Sequence, residues 1–326
     1  MPLSQAGPSS SWLDTLCGRL MGRVPVERDV PLAGFTTYHL GGPVAALVRA
    51  GSVSALMAVA EVVAELQPPL LVVGRGSNLL VADRGFVGLA IVLDGEFETV
   101  QFGEPDLEPV GPGIDDDGTV RAGGAVSLPV LARRAAAAGR SGLEFYVGIP
   151  GSVGGAIRMN AGGHGRETVD VVITADVVDL VDAGEAPVAQ GVDALGLGYR
   201  HSALSATEVV TSATFRVGAA AAEECEQAVA EVVRWRREHQ PGGANAGSVF
   251  SNPPGDSAGR IIDAAGLKGF RVGGALVSPK HANFFQAEAG ATADDVWRLV
   301  AAVRRRVHDA TGIDLQPELR MVGFGA

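Results

Sequence analysis

Cysteine is nearly absent from this chain of 326 residues: there are two, Cys17 and Cys225, far apart and in unrelated contexts. Neither a disulfide framework nor a cysteine-built metal cluster is supported. The six histidines show no ligand spacing such as HExxH, so no metal is expected. Positive charge is also short, 26 Lys and Arg against 37 Asp and Glu, for a net charge of −11. That balance argues against a surface that tracks nucleic-acid phosphates and leaves room for a local basic pocket that holds a small phosphorylated ligand. No apolar run approaches the roughly 20 residues of a membrane span, so no membrane insertion is expected. No basic start followed by an apolar block and a small-residue cleavage site opens the chain, so the expected location is cytoplasmic.

What is abundant is glycine, 45 residues, gathered in clusters. Clustered glycine means special backbone, because only glycine takes positive φ freely and lets other atoms approach the main chain closely. The remaining composition, 47% hydrophobic and 19% charged, is that of a globular protein. At roughly 100–200 residues per domain, the length suits two or three domains.

Along the chain, residues 1–28 carry little periodicity and read as a loosely ordered leader. Residues 29–97 hold an amphipathic helix at 53–67, a buried strand PPLLVV, the loop GRGSNLL and a second apolar strand GLAIVLD, a β-α-β-like unit. Residues 98–217 begin with an acidic Pro/Gly loop (103–117) expected to be exposed and dispensable. A strand TVRAGGAV, an Ala-rich helix at 128–138, a Gly-rich run and the alternating strand EVVTSATFRV follow. Residues 218–326 open with the helical AAEECEQAVAEVVRWRREHQ, stopped by Pro241. They close with a helix from Thr292, whose Asp295 three residues on makes a capping box, and with the alternating GIDLQPELRMVG. That alternation aims Glu318 away from the core.

The chemistry-bearing stretches are ambiguous one at a time. GRGSNLL (Gly74–Leu80) directly follows a buried strand and suits either a phosphate cradle of backbone N–H groups or a tight turn. It has neither the third glycine of a dinucleotide fingerprint nor the Lys-Ser/Thr of a P-loop. The run Gly148–Gly165 holds seven glycines, each costing a regular element roughly 0.5–1 kcal/mol, which points to a flat ligand pressed against its backbone. Read singly, YRHS (Tyr199–Ser202) is a surface arginine beside a half-buried tyrosine, Glu318 a solvated carboxylate, and His281 structural. Ser248, in NAGSVFSNP, is either a turn residue or part of an active site.

Taken together and in order, TTYHLGG (36–42), GRGSNLL, GLEFYVGIPGSVGGAIRMNAGG (142–163), GYRHS, AGSVFSNP, AGLKGFRVGGALVSPKHANF (265–284), the ATADD helix start and LQPELRMVG (315–323) resemble the UDP-N-acetylenolpyruvoylglucosamine reductases. The resemblance spans nearly the whole chain. It implies an α+β architecture: a two-subdomain FAD-binding fold of the vanillyl-alcohol-oxidase type (29–97 and 98–217) and a C-terminal α+β substrate-binding domain (218–326). It implies non-covalent FAD, NADPH as co-substrate, UDP-N-acetylglucosamine enolpyruvate as substrate, and a monomer. The rival in the same flavin superfamily, a sugar or hydroxy-acid oxidase, has no need of AGSVFSNP and often attaches its flavin through His or Cys, which GRGSNLL lacks.

By match to the family, Gly74, Arg75, Gly76, Ser77, Asn78 and Leu79 are the flavin diphosphate loop. Gly148, Ile149, Pro150, Gly151, Ser152, Gly154, Gly155, Ala161 and Gly162 are the remaining cofactor contacts. Ser248 is implied as the proton donor, Arg200 as the stabilising cation and Glu318 as the third catalytic group; Tyr199, His239 and Asn252 are implied substrate contacts. Three departures stand out: no tyrosine-bearing insertion after YRHS, so that the chain is similar to the shorter branch; His239 where relatives often carry Lys; and His164 where an aromatic is common.

Overall fold

The computed structural model describes residues 11–103, 118–182 and 186–325; apart from Gly103, the acidic loop lies outside them. Part of the expected leader, the stretch from Ser11, is ordered. Ser11–Leu20 forms a helix, α1, with Leu16 and Leu20 fully buried in one core with Leu56, Val59 and Val63 of α2 (Val53–Leu66). Arg19 and Arg23 pair with Glu65 and Glu61 across that contact. Three turns at most carry the pattern Leu13, Leu16, Leu20, too short a window for periodicity to signal a helix, so burial against α2 decides the matter.

α2 is N-capped by Ser52, whose Oγ accepts from the N–H of Ala55, and ends at Gln67 in the left-handed region. It lies on a four-stranded sheet in the order Val26–Pro31, Pro43–Ala50, Phe86–Leu93, Leu70–Val73, the last three mutually parallel. A parallel sheet needs crossovers, and α2 is one of them.

The second layer is a five-stranded antiparallel sheet, Val188–Gly191, Val172–Asp179, Glu208–Arg216, Thr119–Gly123 and Val100–Phe102. Against it pack α3 (Leu128–Ala137), α4 (Val153–Met159) and the aromatic turn Glu144–Gly148. A one-turn helix, α5 (Val192–Leu195), precedes Tyr199. The helix α6 (Ala222–His239), read as the opening of the third domain, buries Cys225 and Val229 in this second core. Packing therefore carries the second layer to the end of that helix.

A third core gathers α7 (Ala258–Ala264), α8 (Ala293–Thr311) and a three-stranded sheet, Arg271–Val272, Ala275–Val277 and Phe285–Ala287. α8 carries the expected capping box: Thr292 Oγ1 accepts from the Asp295 N–H at 3.1 Å and Asp295 Oδ2 from the Thr292 N–H at 3.2 Å. The C-terminal end is sewn to the first layer, because Arg320–Val322 runs parallel to Leu79–Val81. Asp83 adds a second stitch by accepting from the N–H groups of Ala293 and Asp294, both at 3.0 Å.

Candidate active site

The three cores meet around two adjoining cavities of about 660 and 560 Å3 that share Val72–Arg75, Ser152, Gly155, Arg158 and Arg320. GRGSNLL leaves the strand Leu70–Val73 and enters this space. Gly76 sits at φ +61°, and a Cβ there would lie 1.9 Å from the Phe35 carbonyl oxygen, so no other residue fits. Among the described residues none offers an acceptor to the N–H groups of Arg75, Gly76, Ser77 and Asn78. Arg75, Arg158 and Arg320 surround the shared region, and among the described residues no carboxylate forms an ion pair with any of them. Burial and the neighbouring Arg320 hold the Arg158 pKa below its usual value. In a chain of net charge −11 this local cationic cluster with four free amides has the chemistry that suits phosphate oxygens.

The Gly-rich run is more regular than its composition suggests. Gly154 and Gly155 lie inside α4, capped by Ser152 Oγ, which accepts from the Gly155 N–H at 3.3 Å. Several of these glycines answer to protein rather than to ligand. A Cβ at Gly154 would come 3.2 Å from the Gly124 carbonyl, one at Gly162 2.8 Å from the Arg166 carbonyl, and one at Gly148 3.2 Å from Arg236 and Val232. The expectation that the whole run is shaped by a flat ligand is thus corrected: close helix-to-sheet packing explains part of it. Even so Gly148–Ser152, Gly155, Ala161 and Gly162 line one cavity, and Gly154 lines the other.

Arg200, Ser248 and Glu318, separated by up to 118 positions in sequence, line the same cavity. Arg200 Nε forms an ion pair with Glu318 Oε1 at 2.8 Å. Arg200 is itself held at φ +54° in the Gly198–His201 turn, a conformation that non-glycine residues rarely take, and its guanidinium lies 5.1 Å from the centre of the Tyr199 ring. The backbone N–H of Glu318 donates to the Val249 carbonyl at 2.8 Å, which fixes that carboxylate one residue from Ser248. Asn78 reaches across from the loop GRGSNLL, donating from Nδ2 to the Glu318 carbonyl at 3.1 Å. Glu318 is not the solvated carboxylate of the sequence reading. Its side chain is only 14% exposed, and burial raises its pKa by more than Arg200 lowers it. The alternation was right in turning it from its own core but blind to the neighbouring layer that covers it.

The three implied substrate contacts lie outside the cavity lining. Tyr199 is half exposed, its hydroxyl accepting from the Asn252 N–H at 3.3 Å. Asn252 Oδ1 accepts from the Ala258 N–H at 3.0 Å and so tethers the start of α7. His239 ends α6, stacked on Trp235 with ring centres 4.6 Å apart. One turn earlier, Arg236 does line the cavity, together with Gln240. Arg158, Arg236, Arg320 and Thr37 also line the cavities and were not named from sequence; Thr37, Arg158 and Arg320 each stand inside a family segment, TTYHLGG, GLEFYVGIPGSVGGAIRMNAGG and LQPELRMVG, and only Arg236 had no such signal.

The arrangement fits a flavin dinucleotide. The cavities are large and share lining residues, the amide-and-arginine junction suits a diphosphate, and Thr37 Oγ1, which lies in the wall, is buried without a hydrogen-bond partner. Among the described residues no group of His, Cys, Asp and Glu could hold a metal ion.

Comparison with known proteins gives independent findings. A family model for the UDP-N-acetylenolpyruvoylglucosamine reductase C-terminal domain matches residues 239–322, and one for an FAD binding domain matches residues 44–185. The UDP-N-acetylenolpyruvoylglucosamine reductase of Paramagnetospirillum magneticum is 41% identical over 320 residues, 98% of this chain and 98% of the relative. That of Rubrobacter xylanophilus is 40% identical over 309 residues, 94% and 98% of the two chains. The crystal structure of UDP-N-acetylenolpyruvylglucosamine reductase from Thermus caldophilus superposes with a TM-score of 0.76 at 38% identity, covering 92% of this chain and 99% of that one.

Proposed function

The chain belongs to the UDP-N-acetylenolpyruvoylglucosamine reductase family, FAD-dependent, NADP-linked oxidoreductases of peptidoglycan precursor synthesis, and from that premise we propose that it reduces UDP-N-acetylglucosamine enolpyruvate to UDP-N-acetylmuramate with NADPH. FAD, which GRGSNLL and the backbone around Gly148–Gly162 would hold, would supply the hydride chemistry that links NADPH to the β-carbon of the enolpyruvyl group.

Addition at the β-carbon gathers negative charge on the α-carbon and its carboxylate, so this chain must supply a cation for the charge and a proton for the carbon. Arg200 provides the cation, and Ser248 Oγ–H provides the proton. A serine hydroxyl is a poor acid at neutral pH, and serves only where the oxyanion left behind is stabilised and promptly reprotonated. Arg200 offers the stabilisation, and Glu318, ion-paired with Arg200 in the same cavity, is the third group, orienting the cation beside the acid. GRGSNLL with Arg75, Arg158 and Arg320 holds the flavin diphosphate. Arg236 and Gln240, on the wall beside Gly148–Ser152, lie where nucleotide phosphates of NADPH or of the UDP-sugar would enter in turn. We assign residues 29–97 and 98–239 to the flavin subdomains and 240–326 to the substrate domain. Among the described residues no helix is long and apolar enough to cross a membrane, and charged nucleotide substrates argue for a cytoplasmic reaction.

The observation that carries this reading is the convergence of Arg200, Ser248 and Glu318 on one cavity with the amide loop 74–79. Anaerobic stopped flow tests it: the yellow protein is reduced by NADPH and then mixed with UDP-N-acetylglucosamine enolpyruvate while flavin absorbance is followed. Rapid reoxidation with formation of the lactyl ether is expected, and reduction without reoxidation by the enolpyruvyl compound would overturn the substrate assignment. Ser248→Ala is expected to keep the NADPH step and to slow the second step by about 10²–10⁴-fold, the usual worth of a general acid; slowing of both steps alike would remove Ser248 as proton donor.

A further inference from the structure

We infer that Glu167 is a positioning residue for Arg200, fixing the plane of its guanidinium toward the enolpyruvyl carboxylate; the inference rests on the proposed function.

Arg200 is gripped at each end of its guanidinium. Nε pairs with Glu318 at 2.8 Å, Nη2 donates to the Gly162 carbonyl at 3.5 Å, and Nη1 lies 3.7 Å from Glu167 Oε1. Nη1 is buried and has no hydrogen-bond partner, so it is the spare donor of the group. One carboxylate at Nε leaves the plane free to swing about the side-chain axis. A second carboxylate at the opposite end sets its orientation.

Glu167 is itself held, which a positioning residue must be. Its Oε2 accepts from Asn160 Nδ2 at 3.0 Å, and its own N–H donates to Asp170 Oδ2 at 2.7 Å as part of a reciprocal cap on the turn Thr168–Asp170. Asn160 is fully buried, closes α4 at φ +41°, and spends its remaining capacity on the same assembly. Its Nδ2 also donates to the Gly198 carbonyl at 3.0 Å, and its Oδ1 accepts from the Val169 N–H at 2.9 Å. A single buried amide thereby bolts the end of α4, the Glu167 turn and the turn that carries Arg200 to one another.

The magnitude of the pair separates orientation from stability. Arg200 and Glu167 are 23% and 33% exposed, and partly solvated ion pairs contribute about 0–1 kcal/mol to folding. A misplacement of about 1 Å at a reacting centre, by contrast, costs about 10²-fold in rate. The consequence of losing the Glu167 charge is therefore a kinetic one.

Glu167→Gln keeps an oxygen for Asn160 and for the turn while removing the charge that faces Arg200; Glu167→Asp keeps the charge and shortens its reach. In the two half-reactions, Glu167→Gln is expected to reduce with NADPH at the wild-type rate. Its reoxidation by saturating UDP-N-acetylglucosamine enolpyruvate should be slower by on the order of 10- to 100-fold, with a thermal midpoint close to wild type. Glu167→Asp should recover part of the rate. Reoxidation of Glu167→Gln at the wild-type rate, or equal slowing of both half-reactions with a lowered midpoint, overturns the assignment. A separate readout uses no turnover: in ¹⁵N-arginine spectra, assigned with Arg200→Lys, the Arg200 Nε–H resonance should exchange slowly with water in the wild type and quickly in Glu167→Gln. Unchanged exchange overturns the positioning role. A wild type that NADPH reduces and the enolpyruvyl compound does not reoxidise would instead sink the proposed function, while the exchange result still decides on Glu167.

Discussion

Glu318 holds its proton more tightly than an ordinary glutamate, because burial in the cleft penalises its carboxylate more than Arg200 at 2.8 Å favours it. A carboxyl group whose pKa is raised on folding stabilises the fold below its unfolded value, about 4.3, and that contribution is lost as pH rises through the folded value. At neutral pH the ionised side chain is thus a net cost that the fold carries for the sake of the site. Glu318→Gln is expected to leave the protein at least as stable as wild type in thermal unfolding at pH 7. The difference should vanish on acidification below about pH 4, and substrate-driven flavin reoxidation should fall by about 10²-fold or more. A midpoint lowered at pH 7 would mean that the Arg200 pair outweighs burial.

At the level of elements, the strongest signals were long and periodic. The helix read at 53–67 is found at Val53–Leu66, that at 128–138 at Leu128–Ala137, and the capping box at Thr292 with Asp295 starts α8 as written. Legibility failed where tertiary contact decides. α1 is a ten-residue helix whose stability comes from Leu16 and Leu20 buried on α2, and no local rule shows a partner 40 residues away. Replacing Leu16 by Ala should cost about 2–5 kcal/mol in urea unfolding, whereas a dispensable leader would show no change. The glycines divide in the same way. Gly76 was legible as a cradle residue, and Gly76→Ala, which meets the Phe35 carbonyl at 1.9 Å and a φ of +61°, should give protein that is purified without visible flavin colour. Gly154 was read for a ligand and serves α4 packing as well, because sequence shows that backbone is approached closely without showing by what. The site residues implied by family resemblance line the cavities in the flavin set and the Arg200, Ser248 and Glu318 set. The implied contacts at Tyr199, His239 and Asn252 lie beyond the lining; of the cations that do reach it, Arg158 and Arg320 stand in family segments that do not say which side chain faces the cleft, and Arg236 stands in none.

Across the whole molecule, the third core is fastened to the first layer at and just beyond the amide loop 74–79. Arg320–Val322 pairs with Leu79–Val81, directly after the amide loop; Asn78 exchanges hydrogen bonds with the carbonyl of Glu318 and the N–H of Arg320; Asp83 caps α8. A ligand that binds only the folded chain stabilises it by RT ln(1 + [L]/Kd), and because these stitches run through the loop, that stabilisation is shared by all three cores. Added FAD should therefore raise the unfolding temperature of the entire protein in one transition, with flavin release and loss of helical circular dichroism coinciding. The reverse linkage gives the sharper test. Leu319 is buried in the third core and lines neither cavity, yet Leu319→Ala, at about 2–5 kcal/mol of lost packing, should weaken FAD retention measured by equilibrium dialysis, because it loosens the segment that Asn78 and Arg320 share. If Leu319→Ala lowered the unfolding temperature of the third core alone and left FAD affinity at the wild-type value, the cores would be independent units and the stitches at Asn78, Asp83 and Arg320 would be mere contacts.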